Sequence, residues 1–294
     1  MTSKLPLILA FLTITPIFST ETVLLDREDG SKLSVYMDHP ELKSYPITLI
    51  LPGPQKETSQ RVHTSLKADL LKIGHGAVTL EKRGVSVESI DEKEFNQTLS
   101  LDERLRDYLL LIKNLGKLLP DWNGKLALIG QGDGGRIGAK LAGQTENVLA
   151  LVLIASGGGW APMEESLHSF RTEMADQGYS PQYIHGFLVQ ARQEFSQALK
   201  SPKPDLKAFG YTYKYWNSLF NTKLIEDLAK LDCPIYTING VNDDRVPIES
   251  VEAMAKHLKD KVTLSKKENA GREILLDHEI YEEAISWLEL SLQD

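Results

Sequence analysis

The sequence predicts an α/β fold: a doubly wound, mostly parallel sheet with a helical cap inserted between two of its strands. Three observations predict it. Segments 47–51, 126–129 and 149–154 are apolar without alternation, as expected of strands buried on both faces. Segments of helical period stand between such runs, and a sheet whose strands alternate with helices is assembled from βαβ units. The stretch 160–231 then separates two strands by far more chain than a connection needs. It is helical in pattern and rich in aromatic residues from Phe170 to Phe220, which suits a cap over the strand ends.

The elements follow in order. Segment 1–20 has a charged start at Lys4, an apolar stretch over 5–18 and small residues Ser19 and Thr20 at its exit, the pattern of a secretory signal peptide. The stretch is shorter than the roughly 20 residues of a spanning helix and contains Pro6 and Pro16. The expectation is export to a periplasm or extracellular space, with no membrane span in the mature chain. Runs 22–25 and 33–37 flank Asp29-Gly30, a hairpin signal. Strand 47–51 ends on Pro52-Gly53-Pro54, a helix is expected over 58–73 up to Gly74, and strand 77–80 closes on Glu81-Lys82-Arg83-Gly84. The polar, acidic segment 86–98 reads as a loop and carries a glycosylation sequon, Asn96-Gln97-Thr98, relevant only in a eukaryotic secretory pathway.

Ser100, with Glu103 three residues on, has capping-box spacing for a helix whose Leu105, Leu109, Ile112 and Leu115 keep a helical period. Strand 126–129 runs into Gly130-Gln131-Gly132-Asp133-Gly134-Gly135, followed by a helix over 136–142 and strand 149–154. Gly157-Gly158-Gly159 reads as a flexible entry to the cap. Beyond the cap come strand 235–238, helix 248–257, short strand 262–264 and an amphipathic helix over 281–292. The expected organisation is a core of 21–159 and 232–294 with a cap of 160–231.

Composition narrows the function. With 41% hydrophobic and 25% charged residues the balance is globular, and a net charge of −8 without a basic stripe excludes nucleic acid as a partner. Cys233, the single cysteine, sits in an apolar run, which marks a buried structural thiol rather than a nucleophile. No residue pair has useful metal-ligand spacing, and the glycine run at 130–135 lacks the Lys-Ser/Thr ending of a phosphate loop, so neither a metal nor another cofactor is expected.

Three segments carry a resemblance. Gly130-Gln131-Gly132-Asp133-Gly134-Gly135 follows a strand and opens a helix; Gly240-Val241-Asn242-Asp243-Asp244-Arg245-Val246-Pro247 follows a later strand; Gly271-Arg272 lies between the last strand and the last helix. In this order and setting they resemble the α/β-hydrolase superfamily, in its lidded, esterase-like serine hydrolase branch, over nearly the whole mature chain. The family places Gly-x-Ser-x-Gly on a sharp strand-to-helix turn that lifts the nucleophile into the cleft. By the resemblance Gly130, Gly134 and Gly135 form the elbow, Gly132 holds the nucleophile position, Asp243 the acid position and Arg272 the histidine position. The oxyanion-hole positions fall to Asp133 and Pro54, and proline has no N–H to donate. Glu81-Lys82-Arg83-Gly84 matches a structural turn of the family, with no catalytic role for Arg83.

Glycine offers no nucleophile, and arginine, with a pKa above about 12, cannot act as the base. The first expectation is therefore a non-catalytic homologue that binds a small acyl, peptide-like or anionic ligand, or a protein partner. One alternative is an active esterase, peptidase or thioesterase with an atypical site, in which Asp133 substitutes as nucleophile or His278 as base. Another is a scaffold serving only protein contacts. A bidentate Arg272–Asp243 ion pair is expected in place of the usual His–Asp hydrogen bond.

Overall fold

The computed structural model describes residues 20–60 and 64–291. The expected signal segment lies outside the described residues apart from Thr20. β1 (Glu21–Asp26) and β2 (Lys32–Asp38) form the expected antiparallel hairpin. β3 (Tyr45–Leu51), α1 (Thr64–Lys72) and β4 (Gly76–Leu80) follow. The helix expected over 58–73 is shorter because Thr58 and Ser59 are held in a turn by Glu81, whose carboxylate accepts the Ser59 N–H at 3.0 Å.

Segment 86–98 is not wholly a loop: it contains α2 (Glu92–Thr98). Asp91 caps this helix by accepting the Glu94 N–H at 2.9 Å. Phe95 is its one buried residue, so no apolar period betrays the helix. α3 (Leu101–Leu118) starts as expected at Ser100, whose hydroxyl accepts the Glu103 N–H at 3.2 Å. β5 (Trp122–Gln131) leads into α4 (Asp133–Ala142), which begins three residues earlier than expected, directly on Gly132.

After β6 (Val148–Ile154) comes the long excursion. It holds α5 (Pro162–Asp176), α6 (Pro181–Lys200), a two-residue hairpin of β7 (Lys207–Ala208) and β8 (Tyr211–Thr212), α7 (Tyr213–Phe220) and α8 (Leu224–Ala229). β9 (Ile235–Gly240), α9 (Ile248–Leu258), β10 (Val262–Lys267) and α10 (His278–Ser291) close the chain.

The main sheet has the order β1-β2-β4-β3-β5-β6-β9-β10. Pairing is antiparallel from β1 through β4 and parallel from β4 to β10. Side chains of β5 alternate between two cores, as the period of a strand requires. Leu126 and Leu128 pack towards the face carrying α3, α4 and α9, whereas Ala127 and Ile129 pack towards the face carrying α1 and α10. The chain leaves β3 for β4 on one side, then returns to β5 and continues to β6 on the other. The strand order thus reverses between β3 and β5, and a crevice opens beyond the carboxyl ends of strands at such a point.

Candidate functional site

The carboxyl ends of five parallel strands converge on one cavity of about 550 Å³. Pro54 reaches it after β3, Gly132 and Asp133 after β5, Ala155–Gly157 after β6, Arg245 and Val246 after β9, and Arg272 after β10. The opposite wall comes from the excursion, through Phe170, Phe187, Phe209, Tyr211, Tyr215 and Trp216 among others. No histidine, lysine or cysteine lines it among the described residues.

The elbow has the backbone that its glycines allow. Gly132 sits at φ +52°, ψ −126°, a conformation that side chains rarely adopt, and the chain turns there into α4. A Cβ on Gly134 would strike the carbonyl oxygens of Leu51 and Pro52, and one on Gly130 the backbone of Gly134 and Gly135. One on Gly135 would strike the side chain of Ser156. α4 therefore lies directly on the strand ends, and its first residue, Asp133, lines the cavity. From the other side Arg104 of α3 donates to the Pro52 carbonyl and holds the turn that carries Pro54.

At Gly132 the space that a nucleophile would use is open. A Cβ there would lie 3.5 Å from Nη2 of Arg272 and 4.0 Å from the Ala155 carbonyl. The structure thus brings the predicted nucleophile and histidine positions together. Asp243 is close behind: it is 5% exposed, and one oxygen accepts the N–H of Arg245 at 2.8 Å and of Val246 at 3.0 Å. Its other oxygen is buried without a hydrogen-bond partner. Burial pushes this carboxyl above the ordinary value, against the opposing pull of the two N–H groups and the Arg272 charge.

The expected bidentate Arg272–Asp243 pair does not form. The turn 243–246 takes one carboxylate oxygen, and Arg272 donates to neither. Arginine is longer than histidine, and its guanidinium ends beside Gly132. Arg272 opens a 3₁₀ turn (Arg272–Leu276), where Glu273 accepts the Gly271 N–H at 2.6 Å. Arg83 pairs with Asp29 away from the cavity. Cys233 is half-buried, and burial pushes its thiol pKa up.

His278 stands outside the cavity at the start of α10, 3.3 Å from the Glu282 carboxylate and 3.7 Å from that of Asp69. Asp133 does line the cavity, but its carboxylate accepts the hydroxyl of Tyr215 from α7. Burial first, then the Asp133 charge, pushes the Tyr215 hydroxyl well above its ordinary pKa and keeps it a donor.

The sequence reading missed three further features. Arg136, in the first turn of α4, forms a buried ion pair with Glu165 of α5. The same Glu165 accepts the Gly158 N–H at 2.8 Å and the Ser250 hydroxyl at 2.7 Å. Gly157-Gly158-Gly159 is therefore no slack entry: it is pinned to α5, and Gly158 and Gly159 pack against the backbone of α9 too closely for a side chain. Tyr211 stacks on Tyr215 with ring centres 4.3 Å apart. Arg245 stands at the exposed mouth, one residue beyond the Asp243-Asp244 pair that drew attention in the sequence.

No protein-family model and no curated protein matches the sequence. Solved structures do. The chain is similar to 2,6-dihydroxy-pseudo-oxynicotine hydrolase, with TM-score 0.64 and 17% identity over 93% of this chain and 68% of that one. It is also similar to Est1E from Butyrivibrio proteoclasticus, with TM-score 0.61 and 16% identity over 91% and 98%. A third similarity is to the acylaminoacyl peptidase of Pyrococcus horikoshii, with TM-score 0.63 and 13% identity over 93% of this chain and 41% of that one. The chain has the α/β-hydrolase fold, and these structural neighbours are hydrolases.

Proposed function

We propose that this protein binds a small organic ligand in the cleft of a hydrolase fold without hydrolysing it. The observation that carries the reading is the guanidinium of Arg272 standing 3.5 Å from where a side chain at Gly132 would begin. The fold's acyl-transfer route needs a hydroxyl, a base to take its proton and an acid to orient the base. Here only the acid position has its usual residue type. Gly132 has no side chain to attack with, a guanidinium such as that of Arg272 has no lone pair free to accept a proton as a base, and Pro54 donates no N–H to an oxyanion.

The remaining lining carboxylates offer no clear substitute. Asp133 is committed to Tyr215 and Glu165 to Arg136, while Glu173 lies exposed at the rim. The open cavity favours ligand binding over a purely structural scaffold, because a scaffold has no need of an aromatic-walled space of this size. The pattern of segment 1–20 supports placing this role outside the cytoplasm.

The test is turnover of short p-nitrophenyl esters by the purified protein. The expected rate equals that of the Asp243→Ala variant and of buffer. Turnover that disappears in Asp133→Asn would instead establish an enzyme with a carboxylate nucleophile.

A further inference from the structure

Arginines and carboxylates line the cleft in equal number, but two of its guanidinium groups are not directly paired. Arg136 is matched to Glu165, and Asp133 is hydrogen-bonded to Tyr215. Arg245 and Arg272 line the same space, and among the described residues neither guanidinium has an ion-pair or hydrogen-bond partner. Tyr211 and Asp133 line the same cavity as both arginines; burial and then the Asp133 charge raise the Tyr211 hydroxyl pKa, and the two arginine charges oppose them. The other wall is a cluster of phenylalanines: Phe170 lies 4.9 Å from Phe209 and 5.7 Å from Phe187 between ring centres, and Phe187 lies 5.7 Å from Phe209.

We propose that the ligand is an organic carboxylate with an aromatic body, its head group held by Arg272 and Arg245 and its ring lodged among Phe170, Phe187 and Phe209. This rests on the non-hydrolytic binding role and gives that role a ligand class. A guanidinium presents paired donors that match the two oxygens of a carboxylate. The Tyr211 hydroxyl adds a neutral donor in the same cavity. The ring faces of the cap supply apolar contact that a free inorganic anion cannot use. A cavity of about 550 Å³ lies within the range of small-molecule sites and is ample for a phenylalkanoate. Arg272 thereby turns the position of a proton-shuttling base into a permanent anchor for an acid, the kind of molecule that ester cleavage releases.

The experiment is titration calorimetry of the full protein with 3-phenylpropionate, its neutral amide 3-phenylpropionamide, and inorganic phosphate. The acid is expected to bind at least about tenfold more tightly than the amide, and phosphate to bind weakly or not at all. Arg272→Gln should remove most of that preference, and Arg245→Gln part of it. The circular dichroism and melting temperature of each variant establish that it is folded. Equal binding of acid and amide, no binding of either, or a preference that survives both substitutions would overturn the inference. These outcomes leave the absence of ester turnover untouched, so the two proposals fail separately.

Discussion

On the proposed reading, Arg272 places a guanidinium where the fold's chemistry requires a group that takes up and releases a proton. The glycine at 132 is of a different kind, because it keeps the backbone of a nucleophile elbow while lacking the nucleophile. Both assignments are readable in the sequence because short glycine patterns fix their register. The Asp243 carboxylate shows where such reading ends: its partners are N–H groups of its own turn, a geometry that residue identities do not encode. A pH-sensitive residue lies elsewhere. His75 is 4% exposed, bonds Thr48 through Nδ1 at 2.9 Å, and burial lowers its pKa from 6.5 to about 4. Between those values the unfolded chain takes up a proton that the native chain refuses. The native state therefore loses stability as pH falls through this window, by about 3 kcal/mol at most, and regains it as pH rises. His75→Gln should flatten this acid limb. Melting temperatures measured from pH 7 down to pH 4 should show the gap between the two proteins narrowing, and a constant gap would contradict the assignment.

The elements join through polar contacts that tie the cap to the core. Glu165 of α5 holds Arg136 of α4, the Gly158 N–H and the Ser250 hydroxyl of α9 at once. Glu164, its neighbour in sequence, pairs with Arg192 at 2.6 Å on the solvent side, where both side chains are about half exposed. Removing one partner of a buried pair strands the other charge, so Glu165→Ala should cost about 3–5 kcal/mol. Glu164→Ala should cost less than about 1 kcal/mol. Urea denaturation measures both, and similar losses for the two variants would refute the tie. The sequence foretells the strands and most helices because burial on one or both faces imposes a period. It does not foretell α2, whose single buried residue, Phe95, makes no pattern. Nor does it foretell Arg136–Glu165 or Asp133–Tyr215, whose members lie 29 and 82 residues apart. Periodicity records which face is buried but not which distant partner covers it.

The whole molecule has the architecture of the α/β-hydrolase fold. Five strand ends meet at the reversal of strand order, the elbow packs α4 onto them, and the cap closes the cavity with aromatic rings. On the proposed reading the change is local, confined to side chains at Gly132 and Arg272 and a donor at Pro54, while the packing of the elbow and the cavity is kept. A fluorophosphonate phosphonylates an activated nucleophile at phosphorus with loss of fluoride, so intact-protein mass after exposure to one, with peptide mapping of any adduct, tests this account directly. The protein as it stands is expected to show no added mass, and the paired Gly132→Ser and Arg272→His substitution is expected to show one adduct at residue 132. An adduct on the unsubstituted protein, at any residue lining the cleft, would contradict it.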